Sequence, residues 1–539
     1  MYRLISYTLR SLLLQSAKRY GNRPALAFLE RQPVSYLNMA KAAAKLAQKL
    51  AASGISPGDK VALISENRPE WPTAYFGITA GGRVAVPILV DFTAEQIENI
   101  VTHAECKAVI LSEKLRVKLD GHKLPDLIAI ESMFDGIDLN SCKENDCLAE
   151  IETVLPPVPE DSLAVIIYTS GTTGHSKGVM LSHMNLVWNA WATRSIIHLR
   201  RNDRFLSMLP LAHTYECTIG MIAPLMQGSF ISYMDKPPSA SVLLPALKIL
   251  RPSVMVTVPI IIEKIFRASV RPKLEAMKAY KQHWLRPLLH RLAGLKLKKT
   301  FGGKLRFYGV GGAGLSPDVE QFLIDARFPY AIGYGLTETA PLLAGCAPHH
   351  TALGSTGPAL RSVTLRIADP DPKTGDGEIQ AKGKNVMLGY YKNEEATKEV
   401  FTEDGWFKTG DLGHFDHKNR LYIRGRLKAL ILGATGENIY PEEIESLLNA
   451  NEHVAESLVY NDEDGLHALV NLKPEIMEKL GAAVQDRLED AEDMLESIRK
   501  AVNSKLSSFS RLAKVKLHIE PFEKTPSQKI KRFLYQKKQ

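Results

Sequence analysis

From Lys60 onward the chain alternates short, unbroken apolar runs with stretches in which apolar positions recur every three or four residues. "KVALISE" reads as a strand, "PEWPTAYFGITA" as a helix, "VAVPI" as a strand, "TAEQIENIVTHAE" as a helix and "AVILS" as a strand. Strands without polar alternation are buried on both faces, which is the pattern of parallel strands covered by helices. "LAVIIY" ends at Tyr168 in the same style, and "PSVMVTVP" (252–259) and "LRFYGVGG" (305–312) add further strands. After about Gly425 the pattern changes to "EEIESLLNA", "VAESLVY", "HALVNLK", a long charged helix around "DAEDMLESIRKAVNSKL", and "AKVKLHIE", a small α+β unit with about three strands. The expected fold class is α/β: a large N-terminal multi-layer domain with parallel sheets over 1–425 and a small mobile α+β domain over 426–539.

Length agrees with more than one domain, since 539 residues exceed what one hydrophobic core usually supports. The 45% hydrophobic and 24% charged content is that of an ordinary globular protein. Near the start, "LISYTLRSLLLQSAKRY" is amphipathic, but Arg10 interrupts it and no small-residue cleavage site follows. No apolar run is long enough to span a bilayer, so the expected location is cytoplasmic, with peripheral contact at the inner membrane face as an option. Five scattered cysteines, Cys106, Cys142, Cys147, Cys217 and Cys346, point to reduced thiols. Cys142 and Cys147 alone cannot form a metal site. A formal charge of +9 favours anionic surfaces or substrates. Aromatic residues do not interleave with basic runs, so no nucleic-acid partner is expected.

The densest candidate chemistry is "YTSGTTGHSKGVMLSH" (168–183), at the end of an apolar strand. Glycines 171 and 174 let successive N–H groups face one anion, while Ser170, Thr172 and Thr173 add hydroxyl donors and Lys177 a charge. It is not a Walker loop, because there the lysine precedes the Ser or Thr and here Lys177 follows Ser176. Such a turn is as often a plain connection as a phosphate cradle. In "GYGLTET" (333–339), Tyr334 offers a ring to a base, Thr337 a hydroxyl to a phosphate, and Glu338 a hard oxygen to Mg²⁺. In "DGWFKTGDLG" (404–413), Asp411 could accept two ribose hydroxyls. Each of these, taken alone, also fits a solvated turn.

Together, "YTSGTTGHSKGVMLSH", "YGLTET", "GWFKTGDLG", "GRLKALILGATGENIYPEEIE" and "KTPSQKIKR" resemble, in order and spacing, the adenylate-forming (AMP-binding) superfamily of acyl-CoA synthetases, luciferases and peptide-synthetase adenylation domains. The resemblance covers nearly the whole chain. "LPLAHTYE" (209–216) and "PSVMVTVPIIIEKIF" (252–266) are similar to the long-chain fatty acyl-CoA synthetase branch. It implies that Thr169, Ser170, Gly171, Thr172, Thr173, Gly174 and Lys177 hold the ATP phosphates. Gly312, Ala313 and Tyr334 would bracket adenine, Gly335 would also belong to the ATP site, Thr337 would touch the α-phosphate, and Asp411 and Arg426 would hold the ribose. Glu338 would bind the Mg²⁺ that accompanies ATP. His213 would line or gate the acyl pocket, although a lone histidine among apolar residues is more often a core residue. Lys529 would be a mobile catalytic lysine, Lys428 the hinge, and Gly433 and Gly436 part of a coenzyme A tunnel.

Three positions depart from the family pattern: Ser176 where proline is common, Leu432 where lysine is common, and Gln528 where glycine is usual before the mobile lysine. Gln528 leaves a choice between Lys529 and Lys531. The implied reaction is ATP-dependent activation of a fatty acid to acyl-AMP, with pyrophosphate release and transfer to coenzyme A. An acyl carrier protein is the rival thiol acceptor; a luciferase-like oxidoreductase and a non-catalytic acyl or nucleotide sensor are more remote readings. The basic segment 263–304 reads first as a solvated helix face, and otherwise as a dock for anionic membrane or an acidic carrier protein.

Overall fold

A computed structural model describes residues 4–137, 144–169, 177–432, 438–462, 464–480, 488–525 and 529–535. Two large sheets share one core with the helices packed between them. The first has seven strands; from Leu163–Thr169 through Val84–Pro87, Lys60–Ile64 and Cys106–Leu111 to Asp126–Ala129 all its pairings are parallel. The second has eight strands and is parallel from Tyr330–Gly335 to Pro24–Phe28. Both faces of the parallel strands are covered, as their unbroken apolar runs require. Val61 and Leu63 enter the core shared with the second sheet, while Ala62 and Ile64 pack on the other side with Ile97 and Val101 of the helix Ala94–His103.

The N-terminal amphipathic segment forms the helix Leu9–Tyr20, started by the Thr8 hydroxyl accepting from the Ser11 N–H. Leu9, Leu12, Leu13 and Ala17 are fully buried in the shared core, so its apolar stripe is absorbed by the fold. The strand–helix alternation does not announce a third sheet of five strands, antiparallel throughout, built from Ser355–Gly357, Leu421–Arg426, Phe407–Phe415, Gly377–Lys382 and Thr364–Ala368. Its inward residues, among them Ile379, Ala381 and Leu421, share a cluster with Trp188 and Leu343.

Beyond it, Val454–Asp462, Gly465–Leu472 and Lys514–Leu517 make the expected three-stranded sheet, with a separate cluster that includes Leu448, Val470, Ile498 and Val515. Among the described residues, no helix is long and apolar enough to cross a membrane. Cys106, Cys217 and Cys346 are buried free thiols. Cys147 is disulfide-bonded, which corrects the expectation that all five cysteines are reduced; its partner lies outside the described residues.

Candidate active site

The strand that feeds the glycine-rich segment is parallel to its neighbour on one side only. On the other it pairs antiparallel with Lys177–Ser182, Thr169 opposite Lys177, whereas the strand before a Walker loop is followed by a helix. Ser170, Gly171, Thr172, Thr173, Gly174 and Ser176 lie outside the described residues. Lys177 directs its Nζ over the Tyr390 ring, 4.8 Å from the centroid. The Tyr390 hydroxyl donates to Glu338 Oε1 at 3.0 Å. Burial raises the Tyr390 phenol, and the Glu338 charge raises it further, so it remains a donor. Tyr390 arrives on the short strand Gly389–Tyr390, paired with Lys177–Ser182 across about two hundred residues of sequence. Sequence reasoning missed it, because nothing local in "LGYYKN" marks the contact.

Glu338 sits on the turn Thr337–Thr339 that follows the strand Tyr330–Gly335. Asn189 and Asn385 hold this turn, both donating to the Thr339 and Leu342 carbonyls. Gly335 is required by close packing, since a Cβ there would stand 1.9 Å from the Pro341 carbonyl oxygen. Glu338 is half-buried, and among the described residues no cation pairs with it. Oε1 is engaged by the Tyr390 phenol, which leaves Oε2 for a hard cation, so the donor set fits the Mg²⁺ that the resemblance implies.

Asp411 is buried on the strand Phe407–Phe415, opposite Arg426 in register. Its Oδ2 accepts from the Tyr334 hydroxyl at 2.7 Å and its Oδ1 from Arg426 Nε at 2.8 Å. Burial raises the Asp411 carboxyl, opposed by Arg426, by the Tyr334 bond and by Lys529. Burial alone would lower Arg426, yet Asp411, Tyr334, Glu338 and Glu442 together hold it above its ordinary value. Gly312 has φ +86° and, with Ala313, lies exposed with room for a ligand.

Lys529 reaches this cluster from the C-terminal segment. Lys529 is exposed, yet the protein packed around it and the Arg426 charge lower its pKa, while Asp411, Glu338 and Glu442 oppose that fall, so all four lie within its electrostatic reach. His213 is half-buried; burial lowers it first and Lys529 second, with Asp91 opposing. Lys531 instead pairs with Glu523 at 3.2 Å on its own unit. Of the two lysines left open by Gln528, itself outside the described residues, Lys529 is the one that senses the charges of Asp411, Arg426 and Glu338. Glu442, singled out by no motif role, accepts from the Arg426 N–H at 3.1 Å. Arg424 meets Glu443 at 3.0 Å, and Arg267 donates to the Asn449 carbonyl at 2.6 Å. Lys428 is exposed in the turn Leu427–Ala429, whereas Gly433 and Gly436 lie outside the described residues.

The description "AMP-binding enzyme" matches residues 13–391. The chain belongs to this family. The AMP-binding enzyme described here is 31% identical to the long-chain-fatty-acid–CoA ligase FadD15 of Mycobacterium bovis, over 89% of its own length and 86% of that protein. It is 29% identical to the long-chain-fatty-acid–CoA ligase 1 of Homo sapiens, over 93% and 81%. Among solved structures, ATP-bound MatB from Rhodopseudomonas palustris shares 25% identity, a TM-score of 0.76 and 98% of each chain. The AMP complex of the O-succinylbenzoate coenzyme A synthetase MenE from Bacillus subtilis, at 24% identity and a TM-score of 0.77 over 97% of each chain, shares the fold.

Proposed function

We propose that this AMP-binding enzyme is an ATP-dependent, AMP-forming long-chain fatty acid–CoA ligase. The single observation carrying the reading is that Lys529, from the far end of the chain, lies within electrostatic reach of Asp411, Arg426 and Glu338. A sensor has no need for so complete a set of charges, and no oxidative chemistry is required to account for any of it.

In the first step a carboxylate oxygen attacks the α-phosphorus of ATP. A P–O bond forms, the bond between the α- and β-phosphates breaks, and pyrophosphate leaves with the electron pair. Carboxylate and phosphate are both anions, so catalysis consists mainly of alignment and charge neutralisation. Thr169, the 170–174 loop and Lys177 would hold the phosphates, and Thr337 the α-phosphate. Gly312, Ala313 and Tyr334 would bracket adenine with Gly335 in the same ATP site, while Asp411, oriented by Arg426 and Tyr334, would take the ribose hydroxyls. Glu338 would hold the Mg²⁺ that enters with ATP, which supplies further neutralisation of phosphate charge. Lys529 would bridge the carboxylate and α-phosphate, with His213 beside the acyl group.

In the second step a thiol sulfur attacks the acyl carbon; a C–S bond forms, the acyl C–O bond to the phosphate breaks, AMP departs with that electron pair, and the thiol proton passes to solvent. Coenzyme A is the favoured acceptor, given the ligases to which the chain is similar. On this reading the large unit is 1–425 and the small unit 426–539, turning about Lys428 so that Lys529 withdraws and Gly433 and Gly436 line the thiol path. The enzyme would work in the cytoplasm, taking acyl substrate at an anionic membrane surface.

The test is pyrophosphate release across short-chain, long-chain and aromatic carboxylic acids, with coenzyme A, acyl carrier protein or neither. Release with long-chain acids, and thioester only with coenzyme A, is expected. Absence of release with every acid would overturn the enzymatic reading, and thioester formed only on carrier protein would overturn the acceptor.

A further inference from the structure

The basic segment 263–304 does not form one helix. Its first part is Pro259–Ile265 followed by two short turns of helix, and Arg267 there is spent on the Asn449 carbonyl of the C-terminal unit. Its last part is the continuous helix Arg286–Thr300. That helix has two apolar sides. His290, Gly294 and Leu297 are buried, and Gly294 lies so close to the helix Pro317–Asp325 and its end that a Cβ would stand 2.6 Å from that of Ala326. Leu288, Leu292 and Leu295 are 56%, 52% and 63% exposed, and Trp284, one turn earlier, is 76% exposed.

At 100° per residue the three leucines fall within an arc of about 60°, roughly opposite the buried side. A solvated helix face would not carry such a stripe. Arg291 and Lys298 flank the arc on one side and Lys296 on the other, with Lys299 at the end of the helix. Between 276 and 304 there are eight Lys or Arg and no Asp or Glu. Among the described residues none of these eight cations forms an ion pair, whereas Arg271 and Arg306, just outside this stretch, pair with Glu275 and Asp203. Exposed leucines and a tryptophan framed by unpaired cations have the two components of an interfacial helix: apolar side chains for the acyl boundary and cations for anionic headgroups.

We infer that the face formed by Trp284, Leu288, Leu292 and Leu295, with its frame of Arg291, Lys296, Lys298 and Lys299, docks this enzyme on an anionic lipid bilayer. The inference deepens the proposal that acyl substrate is taken at a membrane. An acidic protein would satisfy the cations but not the leucine arc, and a second copy would set this all-basic frame against itself.

The test is flotation of the full-length protein with phosphatidylcholine vesicles and with vesicles half phosphatidylglycerol. Ligase activity on a micelle-free, water-soluble acyl substrate is measured in parallel. Binding to the anionic vesicles, weakened by salt, is expected, with a blue shift of tryptophan emission that Trp284→Phe removes. Leu288→Gln/Leu292→Gln/Leu295→Gln should lose more than about tenfold in vesicle affinity. Lys296→Glu/Lys299→Glu should also lose about tenfold or more, since each basic residue near the surface is worth about fivefold. Both variants should keep the parent's activity on soluble substrate, which separates lost docking from lost folding. Equal binding to neutral and anionic vesicles, no binding, or unchanged binding by the leucine variant would overturn the inference. So would a concentration-dependent dimer that the leucine substitutions abolish, or preferential binding of acyl carrier protein. Vesicle binding by a chain without ligase activity would uphold the docking face and overturn the enzymatic reading alone.

Discussion

Lys529 shows how one side chain takes its meaning from others far away in sequence. In "KTPSQKIKR" it is one basic residue among several, and only its placement near Arg426, Asp411 and Glu338 distinguishes it from Lys531, which is held by Glu523. Replacing one preorganised charge donor typically costs about 10²–10³ in rate. Lys529→Ala should therefore lower pyrophosphate release by about 10²–10³-fold while largely sparing thiolysis of supplied acyl-adenylate, measured as separate half-reactions. Adenylation on this reading uses the charged lysine, and the surrounding protein together with Arg426 lowers its pKa. The alkaline limb of kcat/KM for pyrophosphate release should thus lie below the ordinary lysine value of 10.5 and move upward in Lys529→Arg, whose guanidinium stays protonated. A limb that stays in place would assign the titration to another group.

Among the elements, the π-helix Glu216–Ile222 was not foreseen from the "LPLAHTYE" pattern that contains its first residue. Glu216 is fully buried; Oε1 accepts from the Ser207 hydroxyl at 2.6 Å, and among the described residues Oε2 has no partner. Burial pushes its carboxyl from 4.5 up to about 8, overcoming the bonds from Ser207 and the Met208 backbone. The sign of the stability effect follows. Below about pH 4.5 both folded and unfolded chains are protonated here; between there and about 8 the unfolded chain releases a proton that the folded chain retains, so stability falls as pH rises. Glu216→Gln should flatten that part of the stability–pH curve in urea titrations, gaining at most roughly 5 kcal/mol relative to the parent at the alkaline end. Parallel curves for the two proteins would show that Glu216 ionises normally. The regular elements were better read: runs such as "KVALISE" and "AVILS" became central parallel strands because both their faces meet helices.

For the molecule as a whole, the C-terminal unit is fastened near the site by Arg424 to Glu443 and Arg267 to Asn449. Each contact is a polar bond at a partly exposed rim, the kind of interface that two units can leave and re-form. If Lys428 is the pivot, stiffening it should separate the two steps. Lys428→Pro, with φ locked near −65°, should leave pyrophosphate release within about threefold and cut thioester formation by about 10²-fold or more. Equal loss of both steps would place the pivot elsewhere.

Sequence alone determined the parallel α/β core, the change of pattern after Gly425 and the residue types at the site, because apolar periodicity and glycine, hydroxyl and charge content are local properties. It did not reveal Tyr390 bridging Lys177 and Glu338, Asn189 and Asn385 holding the Thr337–Thr339 turn, or the antiparallel third sheet. Nor could it separate the buried from the exposed leucines of the basic helix, since both repeat at helical spacing. Those outcomes depend on which segments meet across hundreds of residues, and that is decided only when strands choose their neighbours and helices choose the side they bury.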